Sequence, residues 1–352
     1  MSKILIEEEN PYGNAGAFVE DDGRTIYLYR VPGDSSAMEA SAVWVRNLIA
    51  APTDADDAPA RGSAPLMNAK NCAHPEGAPP LQAADLDLIW FPDGLGVSLY
   101  VNGEVEAVLP PWAGDDFVHG YAREAIGYES STIPLPPEDS QFQERLNDNR
   151  DFWNRRTSKG DWESYRDRML SYYESFLGQH SKYFQVTQKF PPLAVVQFDN
   201  IPLSIAAPNS TGNEKPTVFV TLGMGRQPQP GIEMYHEHPE HILHSEVFCY
   251  FPNPPDYVPS ILGGLAAYPW KTGNFFDHEH IYESGRRDRV CDFFITAKPL
   301  DAGWPGIPDA PLHDDRYVIR PLFAVPATQD DILVARAKTV EYSLQRMFDS
   351  AD

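Results

Sequence analysis

The sequence predicts an α+β fold, with mixed sheets and flanking helices in two domains, and three observations carry that prediction. Apolar runs of strand length recur through the carboxy half, at 193–198, 217–222, 246–251, 290–296 and 317–325. Stretches of helical periodicity lie between and around them, and the two kinds of element follow no βαβ rhythm. The chain of 352 residues is also long enough for two cores of ordinary size.

Residues 1–135 read as an amino-terminal, strand-rich α+β domain. Asn10-Pro11-Tyr12-Gly13-Asn14 is a turn by composition, and 24–31 alternates as a strand does. Within 37–50, Val43, Trp44, Asn47 and Leu48 fall at helical spacing, which predicts an amphipathic helix. The small, acidic, proline-broken segment 51–65 predicts an exposed loop. A strand is expected over 86–91, and 96–110 holds the clearest hairpin, because Asn102-Gly103 supplies the two positive φ angles of a type I′ turn. On it Ser98 and Tyr100 should face away from Val97, Leu99 and Val101.

Residues 136–352 begin with a helical arm, 138–178, and continue as a second α+β domain. In the arm Trp162, Tyr165, Met169, Tyr172, Tyr173 and Phe176 recur at intervals of three and four, one stripe suited to a core. Asp161 is placed to cap that helix and Gly178 to end it. Residues 260–268 predict a short helix stopped by Pro269. Thr328 should cap a single closing helix whose apolar face is Leu333, Ala337, Val340, Leu344 and Met347.

A net charge of −23 and a pI near 4.7 argue against nucleic acid as a partner, because gripping phosphate needs a cationic surface. The same field would steer cationic molecules inward. Cys72, Cys249 and Cys291 are too scattered for a disulfide framework or a metal knuckle. No signal peptide is expected from the acidic start, nor a membrane span from any apolar run, so a reducing cytoplasm is the expected location.

Nucleophile and cofactor motifs do not occur: there is no GxSxG, GxxxxGK[ST], HExxH or helix-opening GxGxxG. Gly94-Leu95-Gly96 leads into the hairpin and is a turn. The one dense constellation is His236, His238, His241 and His244, followed downstream by Asp277-His278-Glu279-His280. Imidazoles beside carboxylates can form a Zn²⁺ or Ni²⁺ shell, so one reading is a metal-dependent hydrolase holding its ion with His236, His238, His278 and His280. In that reading Glu237 or Glu279 is the general base, and two separate loops must converge. The other is a solvated polar loop, since Pro239 disfavours a helix that would align the imidazoles. The acid pairs Asp21-Asp22, Asp115-Asp116 and Asp314-Asp315 sit in turn-like contexts, and the basic run 286–289 reads as a loop tip that could pin an acidic partner.

Several segments carry a resemblance. Thr221-Leu-Gly-Met-Gly225, closing the strand 217–222, resembles the T-x-G-M-S turn of the suppressor of fused family, with Gly225 at the serine position. A Glu-led apolar strand from Glu246, then Leu262-Gly-Gly-Leu-Ala-Ala-Tyr-Pro269, a histidine near His280, the strand 293–296 and a closing helix with Glu341 and Leu344 follow in the family's order. The resemblance implies a non-catalytic protein-binding fold with no cofactor. It further implies an immunity-type protein that neutralises a cognate, basic toxin. We ourselves place the expected partner face around Met224, Gly225, His236, His238, His241 and His244, together with exposed acids of the amino-terminal unit. A regulatory scaffold that binds a peptide by strand addition is the remaining alternative.

Overall fold

The structure, a computed structural model, describes residues 2–34, 36, 39–54, 62–114, 120–137, 140–187, 190–199, 201, 217–239, 242–251, 253–285, 292–297, 310–311 and 318–349. His241, Cys291, the acid pairs 115–116 and 314–315, the basic run 286–289 and the loop 209–215 lie outside them. The mixed-sheet α+β class is as the sequence predicts, and the chain divides into two compact units. Unit 1 is Met1–Ser158 with Trp270–Gly273, and unit 2 is Lys159–Pro269 with Asn274–Asp352.

Unit 1 opens with an antiparallel meander of β1 (Lys3–Glu9), β2 (Ala15–Asp21), β3 (Thr25–Pro32) and β4 (Ser41–Asn47). Where a helix is expected over 37–50, residues 41–47 are therefore a strand. Val43 and Val45 are β-branched, and the edge of β3 offers β4 a ladder from Ser41 to Asn47, so pairing outweighs the helical spacing. A second sheet runs β5 (Leu86–Trp90), β6 (Val97–Val101), β7 (Glu104–Leu109), β8 (Gly120–Ala122) and β9 (Thr132–Pro134), the last pair parallel. Its hairpin turn has the expected positive φ at Asn102 (50°) and Gly103 (85°).

The two faces of that hairpin serve two cores. Val97 and Leu99 join Val19, Leu28 and Val43 in the larger one, while Tyr100 joins Phe91 and Leu146 in a smaller one under α1 (Gln141–Arg156). Trp153 of α1 donates its indole N–H to the carbonyl of Trp90 at 2.6 Å, and the Arg150 guanidinium lies 4.4 Å from the centre of the Tyr100 ring. The sequence set its boundary at residue 135; the compact units part after Ser158 because α1 packs on the second sheet.

Unit 2 begins with α2 (Asp161–Leu177). Gly160, at φ 87°, rather than Asp161, is its N-cap, and Asp161 is the first helical residue. The aromatic stripe packs as expected: Tyr165, Met169, Tyr173 and Leu177 meet Val196, Val220 and Phe248 of the sheet. That sheet is ordered β10 (Lys182–Thr187), β11 (Leu193–Asp199), β12 (Thr217–Leu222), β13 (Ser245–Phe251), β17 (Val318–Ala327), β15 (Asp292–Thr296) and β14 (His280–Tyr282). A two-residue β16 (Ala310–Pro311) pairs with β17, and β13 and β17 run parallel.

Two further helical expectations change. α3 spans Val258–Thr272 and passes through Pro269, which forfeits one backbone bond; Trp270, 1% exposed, gives the additional turn a reason to form. The closing helix is two, α4 (Gln329–Ala337) and α5 (Val340–Asp349), broken at Lys338 (φ −130°, ψ −102°). The break lets Ile332 and Ala335 share one core with Val340 and Leu344, while Leu333 is left exposed. Thr328 does cap α4, in a reciprocal box with Asp331. Among the described residues no helix is long and apolar enough to cross a membrane.

Candidate functional site

The glycine turn after β12 is built around a buried carboxylate. Thr217–Leu222 is buried, and the chain begins its reversal toward the antiparallel β13 directly after it. Gly223 makes that reversal at φ 112°, and a Cβ there would stand 2.4 Å from the Pro192 carbonyl oxygen, so only glycine fits. The next residues, Met224–Arg226, form a single 3-10 turn whose Gly225 amide points at Glu246, the second residue of β13.

Glu246 has no exposed surface and collects hydrogen bonds from four donors. The Gly223 and Gly225 amides donate to Oε1 at 2.7 and 3.1 Å, and the Tyr165 hydroxyl of α2 donates to the same oxygen at 2.8 Å. The Thr221 hydroxyl donates to Oε2 at 2.7 Å while accepting the Val247 amide at 2.7 Å. Burial pushes the Glu246 carboxyl up to about 7, against the opposing pull of those four donors. Burial and then the Glu246 charge raise the Tyr165 hydroxyl well above its ordinary value. A group so enclosed cannot meet a solute, so this carboxylate ties α2, β12 and β13 together and is no acid or base for a substrate.

The flanking residues tighten the same knot. Buried Arg226 forms an ion pair with Asp161 and lies 5.8 Å from the centre of the Trp162 ring, so the first two residues of α2 are held. The Gln227 amide donates to the Gly223 carbonyl at 2.7 Å. Gly225 has no room for a side chain, since a Cβ would come within 2.6 Å of Ile319 Cγ2; Ile319 fills the space that a serine at this position would need.

Of the residues expected at a partner face, Met224 and Gly225 are buried in this turn. His244 is buried too, its Nδ1 3.0 Å from the Gly225 carbonyl. His236 is half-buried and His238 exposed. The two histidine segments do approach each other: His236 Nε2 lies 3.1 Å from Asp277 Oδ2, and the Phe275 ring has His236 and His280 as neighbours at 5.9 and 5.4 Å. Buried Gln229 causes this, donating to the Ile242 and Phe276 carbonyls at 2.9 and 3.1 Å and accepting the Phe276 amide at 2.8 Å.

The imidazoles of the described residues do not gather. His278 Nδ1 is 3.0 Å from the Thr296 hydroxyl and His280 Nδ1 is 3.2 Å from the Phe275 carbonyl. Among the described residues no three His, Cys, Asp or Glu side chains are placed to hold a metal ion. The loop instead presents Met234 and Tyr235, 45% and 71% exposed, with the Tyr235 ring 5.5 Å from that of Phe275.

None of Glu246, Tyr165, Arg226 and Gln229 is expected from the sequence as a site residue: Glu246 reads only as the head of a strand and Tyr165 only as part of the α2 stripe. The readable signal was a charge inside an otherwise apolar strand, Glu246 ahead of Val247, Phe248 and Cys249.

Residues 191–352 match the family model for Suppressor of fused protein (SUFU), so the carboxy half of this chain is a Sufu-like domain. A crystal structure of a suppressor of fused homologue from Neisseria gonorrhoeae FA 1090 is similar at 22% identity and a TM-score of 0.37, over 54% of this chain and 91% of that one. No curated protein matches the sequence. Residues 191–352 thus carry a Sufu-like domain, and residues 1–190 lie outside the match.

Proposed function

We propose that this protein is an immunity-type member of the suppressor of fused family, which occupies and neutralises a basic toxin domain. What supports this reading most is how the glycine turn is used. Its carboxylate is sealed inside the fold, and beside it the loop carrying Met234, Tyr235 and His238 stands out in solvent. An exposed tyrosine and methionine on a braced loop suit a protein contact, where aromatic and methionine side chains are enriched. The net charge of −23 favours fast association with a cationic partner.

The test is co-expression with toxins encoded beside the gene. The wild-type protein should restore growth and co-purify with its toxin, and M234A/Y235A should weaken the complex by about tenfold or more, as loss of an aromatic anchor does. Failure to rescue from, or to capture, any neighbouring product would overturn the proposal.

A further inference from the structure

The outer face of the four-stranded sheet in unit 1 carries chemistry that the Sufu-like domain does not explain. Strand register sets outward side chains in rows across β1, β2 and β3: Glu9, Gly16 and Val31 in one, Glu7, Phe18 and Tyr29 in the next. A third row places Glu20 opposite Tyr27. Tyr27 is buried and its hydroxyl donates to the Pro65 carbonyl at 2.7 Å, so that end of the face is covered. The remainder is open. Phe18 and Tyr29 are only half-buried, and their rings stack 4.9 Å apart at 17°; Val31 beside them is 38% exposed.

The charges on this face have one sign. Among the described residues its outward positions hold Glu7, Glu9 and Glu20 but no lysine or arginine. Arg30 points into the core and Arg46 pairs with Glu106. Burial first, and then Glu20 and Asp22, push the Tyr29 hydroxyl up to about 12. Nucleic acid and anionic lipid are repelled by such a surface, and so is a second copy of it. A guanidinium suits it, because it can lie flat on an aromatic ring while its N–H donors reach carboxylates at the ring's edge.

We infer that this sheet face docks an arginine-bearing segment of a protein partner, with the guanidinium on the Phe18–Tyr29 stack and Glu7 and Glu20 accepting its hydrogen bonds. The site belongs to unit 1 and stands whether or not the partner is a toxin.

The test uses the full chain and a fluorescent oligoarginine peptide, followed by anisotropy at about 0.15 M ionic strength, where distant charges are screened. Oligoarginine should bind several-fold more tightly than oligolysine of equal length. F18A/Y29A should weaken binding by about tenfold with net charge untouched. E7Q/E20Q should weaken it more than E76Q/E163Q, a matched loss of charge at exposed positions off the face. Should Y29A disturb the fold, F18S alone, outside the core cluster, carries the test, with its melt checked by circular dichroism. Equal binding of the two peptides, an indifferent F18S, or equal effects of the two glutamine pairs would each overturn the inference.

Discussion

Both units bury a charge at the centre of their hydrogen bonding, and the two charges have opposite signs. Unit 1 buries Arg30, which donates to the carbonyls of Leu95, Pro110 and Ala113 and to the Ser41 hydroxyl. Unit 2 buries Glu246, which accepts from two glycine amides and two hydroxyls. Each side chain supplies what the local backbone lacks: loop carbonyls need donors, and a tight glycine turn needs an acceptor for its amides. The consequences differ with pH. Burial lowers the guanidinium only to about 10, so it stays charged near neutrality, whereas the carboxyl at about 7 gains or loses its proton there.

The contrast breaks most severely when either charge is removed. Glu246→Leu and Arg30→Met should each destabilise the protein by about 3 kcal/mol or more, because several buried neutral groups lose their hydrogen-bond partner at about 1–3 kcal/mol each. Hydrogen exchange should show the loss of protection in 217–225 for the first and in the Leu95 and Ala113 loops for the second.

Titration sharpens the comparison. The folded Glu246 carboxyl sits at about 7 against an ordinary 4.5, so the folded state holds its proton more tightly than the unfolded state. Its contribution to stability is therefore full below pH 4.5 and is lost as the pH rises to about 7, a change of about 3 kcal/mol. Urea unfolding from pH 5 to 8 should show that fall in the wild type and a flatter profile in E246Q. Arg30, lowered to about 10, contributes no slope in that window. A profile of equal slope in E246Q would assign the pH dependence elsewhere.

A pair of glycines gives the next largest effect. Gly223→Ala meets both a positive φ of 112° and the Pro192 oxygen, so about 2–3 kcal/mol is expected. Gly103→Ala has φ 85° and open space, so only the conformational cost of about 1–2 kcal/mol remains. Thermal denaturation of the two variants would check the order. Smallest is Thr328→Ala, which removes the α4 cap and should cost about 1 kcal/mol, visible as a small shift in the urea midpoint.

Much of the fold was legible where the pattern was local. The Asn102-Gly103 hairpin, the α2 stripe and the Thr328 cap each depend on residues within a few positions of one another. Reading failed where a distant partner decided. Residues 41–47 became a strand because β3 offered an edge, and the closing helix divides at Lys338, with Ile332 and Ala335 of α4 and Val340 and Leu344 of α5 in one core. The candidate site shows the same division. The histidines stood out by density, yet His244 props the turn from inside while Met234 and Tyr235, not singled out as a pair, stand exposed beside His238.

The order of residues by itself determined the α+β class, the acidity, the hairpin, the glycine turn and the resemblance of the carboxy half to suppressor of fused proteins. Only the tertiary structure decided that Glu246 would be sealed behind Tyr165, residues 81 positions apart, and that Phe18 and Tyr29 would be left open among carboxylates. The reason is physical: burial and charge environment are properties of what packs against a side chain, and for these residues the neighbours arrive from elsewhere in the chain.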